Sequence, residues 1–188
     1  MKKSLLKLLK FIGWNTAATL AVVAVSIFNH EVGEMFGDTV KACVSAPLAE
    51  EAMKAAFSAM GCPWAGYVLG SIEFTQYVFE RGIPMELRIP QILFHTATGI
   101  IYAVVCKARN INGLTEAAES RVFLVTVWGT ILFHALSNAR VSVLPIPHWV
   151  GGTWVGYIAN PVYYMVELSA YAIIAIVGSL YLTWKKRG

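Results

Sequence analysis

The stretch TVKACVSAPLAEEAMKAAFSAM, Thr39 to Met60, is long enough to cross a bilayer as a helix, yet it carries two adjacent glutamates, Glu50 and Glu51, near its middle. A spanning helix needs about 20 predominantly apolar residues for a hydrocarbon core of ~30 Å. An ionisable side chain at the centre of such a helix costs roughly 2.5 to 3.5 kcal/mol on insertion scales. Two side by side therefore need partners or a use. Partners of the right chemistry lie in later apolar stretches: Glu73, His95, His134 and Asn138. Such groups, gathered away from water, read as a hydrolytic site inside the membrane.

The bulk composition agrees, since 57% of the 188 residues are hydrophobic and only 14% are charged. A soluble domain of this composition has too few polar residues to cover its core, whereas lipid can cover the remainder. The net charge of +4 raises the question of nucleic acid. The basic residues flank apolar segments instead of clustering among exposed aromatics, so no nucleic-acid partner is expected, and membrane lipid is. Cys43, Cys62 and Cys106 show no CxxC spacing and are odd in number. They indicate neither a disulfide framework nor a thiolate zinc site, and read as small apolar filler.

Working outward from the glutamate pair, the sequence predicts an all-α, polytopic transmembrane bundle of six spans. Their limits are Phe11 to Phe28, Thr39 to Met60, Trp64 to Phe79, Ile89 to Cys106, Val122 to Leu144 and Pro161 to Trp184. No connection holds a further domain, so residues 1–188 form one integral membrane unit, with a basic lead-in over 1–10 and a motif-bearing core over 39–144. The opening MKKSLLKLLKFIGW resembles the basic start of a signal peptide, but Lys7 and Lys10 make it amphipathic and the apolar run is long. An uncleaved anchor is expected. Lys2, Lys3, Lys7 and Lys10 at the front match Lys185, Lys186 and Arg187 at the back, and the loop with Lys107, Arg109 and Arg121 falls on the same side. By the positive-inside rule both termini are cytoplasmic, in a plasma membrane of bacterial type. Glu31, Glu34 and Asp38 then face out, and Trp149, Trp154, Tyr157, Tyr163 and Tyr164 form an interfacial aromatic belt.

Within the second span Glu50 and Glu51 point about 100° apart, so one can face a cavity while the other meets a neighbouring helix. Lys54 is four residues from the first and three from the second, within reach of either. Pro47 just upstream can kink the backbone. In the fifth span His134 and Asn138 lie one turn apart on one face. In the fourth, Thr96, Thr98 and Gly99 follow His95 and permit close helix approach. The tetrapeptide ILFH occurs at both histidines, as Ile92 to His95 and Ile131 to His134. Glu73 has Gln76 and Tyr77 one turn on, which suits either a structural or an orienting role. Glu167 can reach the outer interface and reads as structural.

These residues stand in a familiar order: APLAEEAMK, then GSIEFTQYV, then RIPQILFHTATGIIYA, then ILFHALSN. Over Ala46 to Asn138 the chain resembles the PrsW family, part of the larger group that includes the CAAX prenyl endopeptidases and the CPBP proteins. CAAX-type members carry arginine near the glutamate pair, where this chain has Lys54, which favours the PrsW side. The resemblance implies peptide-bond hydrolysis in or beside the membrane, acting on a membrane-anchored protein or peptide.

On that reading Glu50 or Glu51 takes a proton from water, His95 and His134 complete the site, and Asn138 stabilises the oxyanion, with Lys54 and Glu73 in support. Zn2+ held by Glu51, His95 and His134 is one route; carboxylate-activated water without metal is the other. HExxH is absent. Three other classes compete: a b-type cytochrome with haem between His95 and His134, a proton-coupled transporter using the same groups as a relay, and a non-catalytic relative that binds a membrane partner.

Overall fold

A computed structural model describes residues 2–82, 85–143, 148–150, 153–155 and 161–184. Helix α1 runs over Lys2–Phe36, well beyond both limits of the first apolar span. It stops at Gly37, whose φ of +89° is a conformation that L side chains rarely adopt. The glutamate-bearing segment follows as α2 (Asp38–Val40), a π-helical turn (Lys41–Ser45) and α3 (Ala46–Ala59). After a turn through Gly61 come α4 (Ala65–Thr75), a second π-helical turn (Gln76–Glu80) and α5 (Met85–Arg109). The short α6 (Leu114–Glu119) leads into α7 (Arg121–Val143), and α8 (Pro161–Thr183) closes the chain.

The fold is thus helical, as the sequence predicts, except for a small antiparallel ribbon between α7 and α8. Strands β1 (His148–Val150) and β2 (Thr153–Val155) pair there with Trp149 opposite Trp154. Two stretches among the described residues are long and apolar enough to cross a membrane, Ser4–Phe36 and Arg88–Arg109. The side chains of Trp149, Trp154, Tyr163, Tyr164 and Glu167, and the whole of Tyr157, Lys185, Lys186 and Arg187, lie outside the described residues.

Helix α5 is the hub, packed by α3, α4, α7 and α8. Small residues allow the closest crossings: a Cβ on Gly66 of α4 would overlap the His95 carbonyl, and one on Gly70 would meet Ile92 Cα at 2.8 Å. Gly99 in turn faces the backbone of Pro63 and Gly66. Such glycines let backbones approach where bulky residues would hold them apart. Ala18 and Val22 of α1 bury against Met53, Phe57, Ala65 and Leu69, while Ala55, Tyr102, Cys106 and Phe123 form a second core. Large apolar side chains also lie on the outside. Val125, Trp128, Leu132 and Leu136 of α7 and Ile173, Ile176, Val177 and Leu180 of α8 are all exposed. Glu50, Glu51, Lys54, His95 and His134 are buried.

Candidate functional site

The site begins with the backbone beneath the two glutamates. In the π-helical turn the Ala46 N–H bonds to the Lys41 carbonyl, one residue further back than in an α-helix. Ala42 thereby loses its α-helical donor. The next residue along, Pro47, has no N–H to offer instead. Asn138 supplies the missing donor from α7, its Nδ2 bonding the Ala42 carbonyl at 2.7 Å. This bond is part-buried and ties α7 to the segment that presents Glu50 and Glu51; a typical hydrogen bond contributes about 0.5–1.5 kcal/mol.

Glu51 is fully enclosed and fully bonded. Its Oε1 accepts from Lys54 Nζ at 2.6 Å and from His134 Nδ1 at 2.9 Å, and its Oε2 accepts from the Tyr102 hydroxyl at 2.7 Å. Tyr102 in turn meets Thr130 Oγ1. Lys54, at 0% exposure, also donates to Thr98 Oγ1 at 2.7 Å and to His95 Nδ1 at 3.0 Å. All three ammonium hydrogens therefore have acceptors. Charges removed from water persist only when paired and hydrogen-bonded, and this node meets that condition.

These bonds set both imidazole tautomers. A carboxylate only accepts, so His134 donates through Nδ1 and turns the lone pair of Nε2 toward Glu50 Oε2, 3.9 Å away. An ammonium only donates, so neutral His95 accepts at Nδ1 and carries its hydrogen on Nε2, aimed at Glu73 Oε2 3.2 Å away. Gln91 Nε2 donates to that same Glu73 oxygen at 2.6 Å. The two ILFH copies meet here, the histidine rings packing edge to face at 5.5 Å with Phe94 against both.

Glu50 is the less committed carboxylate. Among the described residues its one hydrogen-bond donor is Asn29 Nδ2, at 3.3 Å. Asn29 Oδ1 is buried there without a partner.

The structure therefore brings Glu50, Glu51, Lys54, Glu73, His95 and His134 into one buried cluster. Asn138 lies beside it, bonded to backbone. Glu73 joins the cluster through its contacts with His95 and Gln91. The sequence reading missed Asn29, Gln91, Tyr102 and Thr130. Gln91 and Tyr102 were open to it in part, standing one turn before and two turns after His95 on the same face. Asn29, near the end of a long apolar run, offered no pairing signal.

The group with metal-binding spacing differs from the triple proposed from sequence. Ligand atoms of Glu50, Glu73 and His95 lie within 4.8 Å of one another. The two carboxylates suit a cation. The imidazole does not as it is bonded here, because the nitrogen facing the carboxylates carries the hydrogen and a metal requires its lone pair. Glu51, in the original triple, has both oxygens engaged. Glu50, Glu73 and His95 could hold a cation once the His95 hydrogen leaves the nitrogen that faces the carboxylates. No family model, no curated protein and no solved structure matches the chain.

Proposed function

We propose that the protein is an intramembrane endopeptidase, with six membrane-crossing segments, that hydrolyses a peptide bond of a membrane-anchored substrate. The exposed apolar faces of α7 and α8 support the membrane setting: contiguous faces of this kind are rare on soluble monomers and mark contact with lipid or another protein. Helices cover the apolar segments of the sequence, and two of them, Ser4–Phe36 and Arg88–Arg109, are long and apolar enough to cross a membrane. The order of the EExxK, Glu, His and HxxxN motifs supports kinship with PrsW-type proteases.

The observation that carries the hydrolytic reading is the 3.9 Å between Glu50 Oε2 and His134 Nε2. It is too long for a direct hydrogen bond and suits two acceptors that share one water. Both hydrogens of that water are then held, and its oxygen lone pairs are free to attack a carbonyl carbon. Glu50 takes the proton as the oxygen adds and returns it to the departing amine. Glu51 orients His134 as a buried carboxylate orients histidine in a catalytic triad. Lys54 and Tyr102 hold Glu51 in place. Asn138 and His95 act as positioning residues, the first through Ala42 and the second through Glu73. No step uses a metal. The direct edge-to-face packing of His95 and His134, centroids 5.5 Å apart, favours this reading over haem ligation.

The test is to incubate purified wild-type protein and Glu50→Gln with a library of membrane peptides and read fragments by mass spectrometry. Fragments from wild type alone are expected, and they should persist after chelation with metal removal verified. Equal fragment yield from Glu50→Gln would remove the proposed base.

A further inference from the structure

A second cluster of charge lies two turns from the histidine. On α5, Arg88, Gln91 and His95 follow one another at i, i+3 and i+7 and share a face; on the opposing helix Glu73 and Tyr77 stand four apart. The pairs form a ladder. Gln91 and His95 meet Glu73, and the Arg88 guanidinium lies over the Tyr77 ring, 3.9 Å from its centroid. Exposed Arg81 lies over the same ring at 4.7 Å. Among the described residues, Arg88 Nε and Nη2 are buried and have no hydrogen-bond partner.

Those two nitrogens are not an arbitrary pair. Nε–H and the adjacent Nη–H form one edge of the guanidinium, a fork that meets two anionic oxygens side by side. Left without a partner, such a buried edge costs stability that a bound anion recovers. The ring fixes the plane of the fork, and Arg81 adds a second positive charge. Glu73 is bonded through Gln91 and His95 instead of Arg88. Depth selects the anion. Arg88 opens the apolar stretch Arg88–Arg109, and on the membrane reading it sits where hydrocarbon meets headgroups. Its backbone is about 10 Å along the helix axis from that of His95.

The geometry points to a phosphate-binding site for an anionic lipid headgroup, gripped by the Nε/Nη2 edge of Arg88 on the Tyr77 platform with Arg81 as the second charge. This rests on the membrane setting proposed above and not on hydrolysis. Basic groups between membrane helices recognise lipid headgroups by the same chemistry.

The experiment titrates detergent-solubilised full-length protein with phosphatidylglycerol or phosphatidylcholine and counts retained lipid by native mass spectrometry. Preferential retention of phosphatidylglycerol is expected, reduced at least about tenfold in Arg88→Gln, the loss expected for a charge-assisted bond. Arg88→Lys should lose nearly as much, because an ammonium has no fork. Glu50→Gln should bind like wild type. Should Arg88→Gln fail to fold, Tyr77→Leu keeps both charges and removes the platform, and weaker retention is again expected. Wild-type retention in Arg88→Lys or Tyr77→Leu would overturn the site. Displacement of the lipid by equimolar inorganic phosphate would overturn the lipid source, and Arg88-dependent displacement by a peptide with a free C-terminal carboxylate would reassign the site to peptide. Release of the protein from membranes by carbonate would sink the membrane setting separately.

Discussion

Glu50 and Glu51 are neighbours in sequence with opposite commitments. Glu51 gives every oxygen to a partner, while Glu50 faces a histidine lone pair across a gap. Glu51→Gln should therefore act mainly on stability, costing about 3–5 kcal/mol by leaving Lys54 buried without its counter-ion. Adding Lys54→Met should recover part of that loss, read as a positive coupling in a double-mutant cycle of unfolding in detergent. Strict additivity would show that the two charges do not share a node. Cys62 gives a residue-scale test outside the spans. Burial pushes its thiol up from the ordinary value. The thiolate is the reactive form, so at any given pH less of it is present than in an exposed cysteine. Maleimide labelling of Cys62 in the folded protein should be slow near neutrality and rise only at more alkaline pH than for the unfolded chain. Identical folded and unfolded pH profiles would contradict this.

At the scale of the element, the π-helical turn is the device that presents the glutamates. Its cost is one orphaned carbonyl, which Asn138 covers. Asn138→Ala should lower stability by about 0.5–1.5 kcal/mol and, on the proposed endopeptidase reading, reduce cleavage through displacement of α3. Pro47→Ala restores a backbone N–H one residue beyond the one already used. In the Asn138→Ala background it should return part of the lost stability, measured by thermal unfolding in detergent. No rescue would mean that Ala42 is satisfied in another way. The glycines of α4 work with this device, since the backbone of Gly66 against His95 sets how near α5 can bring its imidazole to the carboxylates.

Among the described residues, a buried polar cluster sits between apolar cores, and large apolar side chains also cover the outer faces of α7 and α8. On the proposed six-span topology, reporter fusions at either terminus should be active only in the cytoplasm, and alkaline carbonate should leave the protein in the membrane pellet. A reporter at one end active outside would require an odd number of spans.

Much of this was legible in the chain. Apolar run lengths located the helices to within a few residues in the later segments, because helix formation and burial of apolar area both follow from local composition. The end of α1 was less legible: nothing in an apolar run marks where a helix continues past it. The candidate polar set could be listed because an ionisable group in an apolar run is costly wherever the run sits. What the sequence could not assign was which carboxylate has fewer bonds, which nitrogen of each imidazole carries hydrogen, and that Asn138 serves Ala42. Those depend on which donor lies within about 3 Å of which acceptor, and that is decided only when separate helices pack.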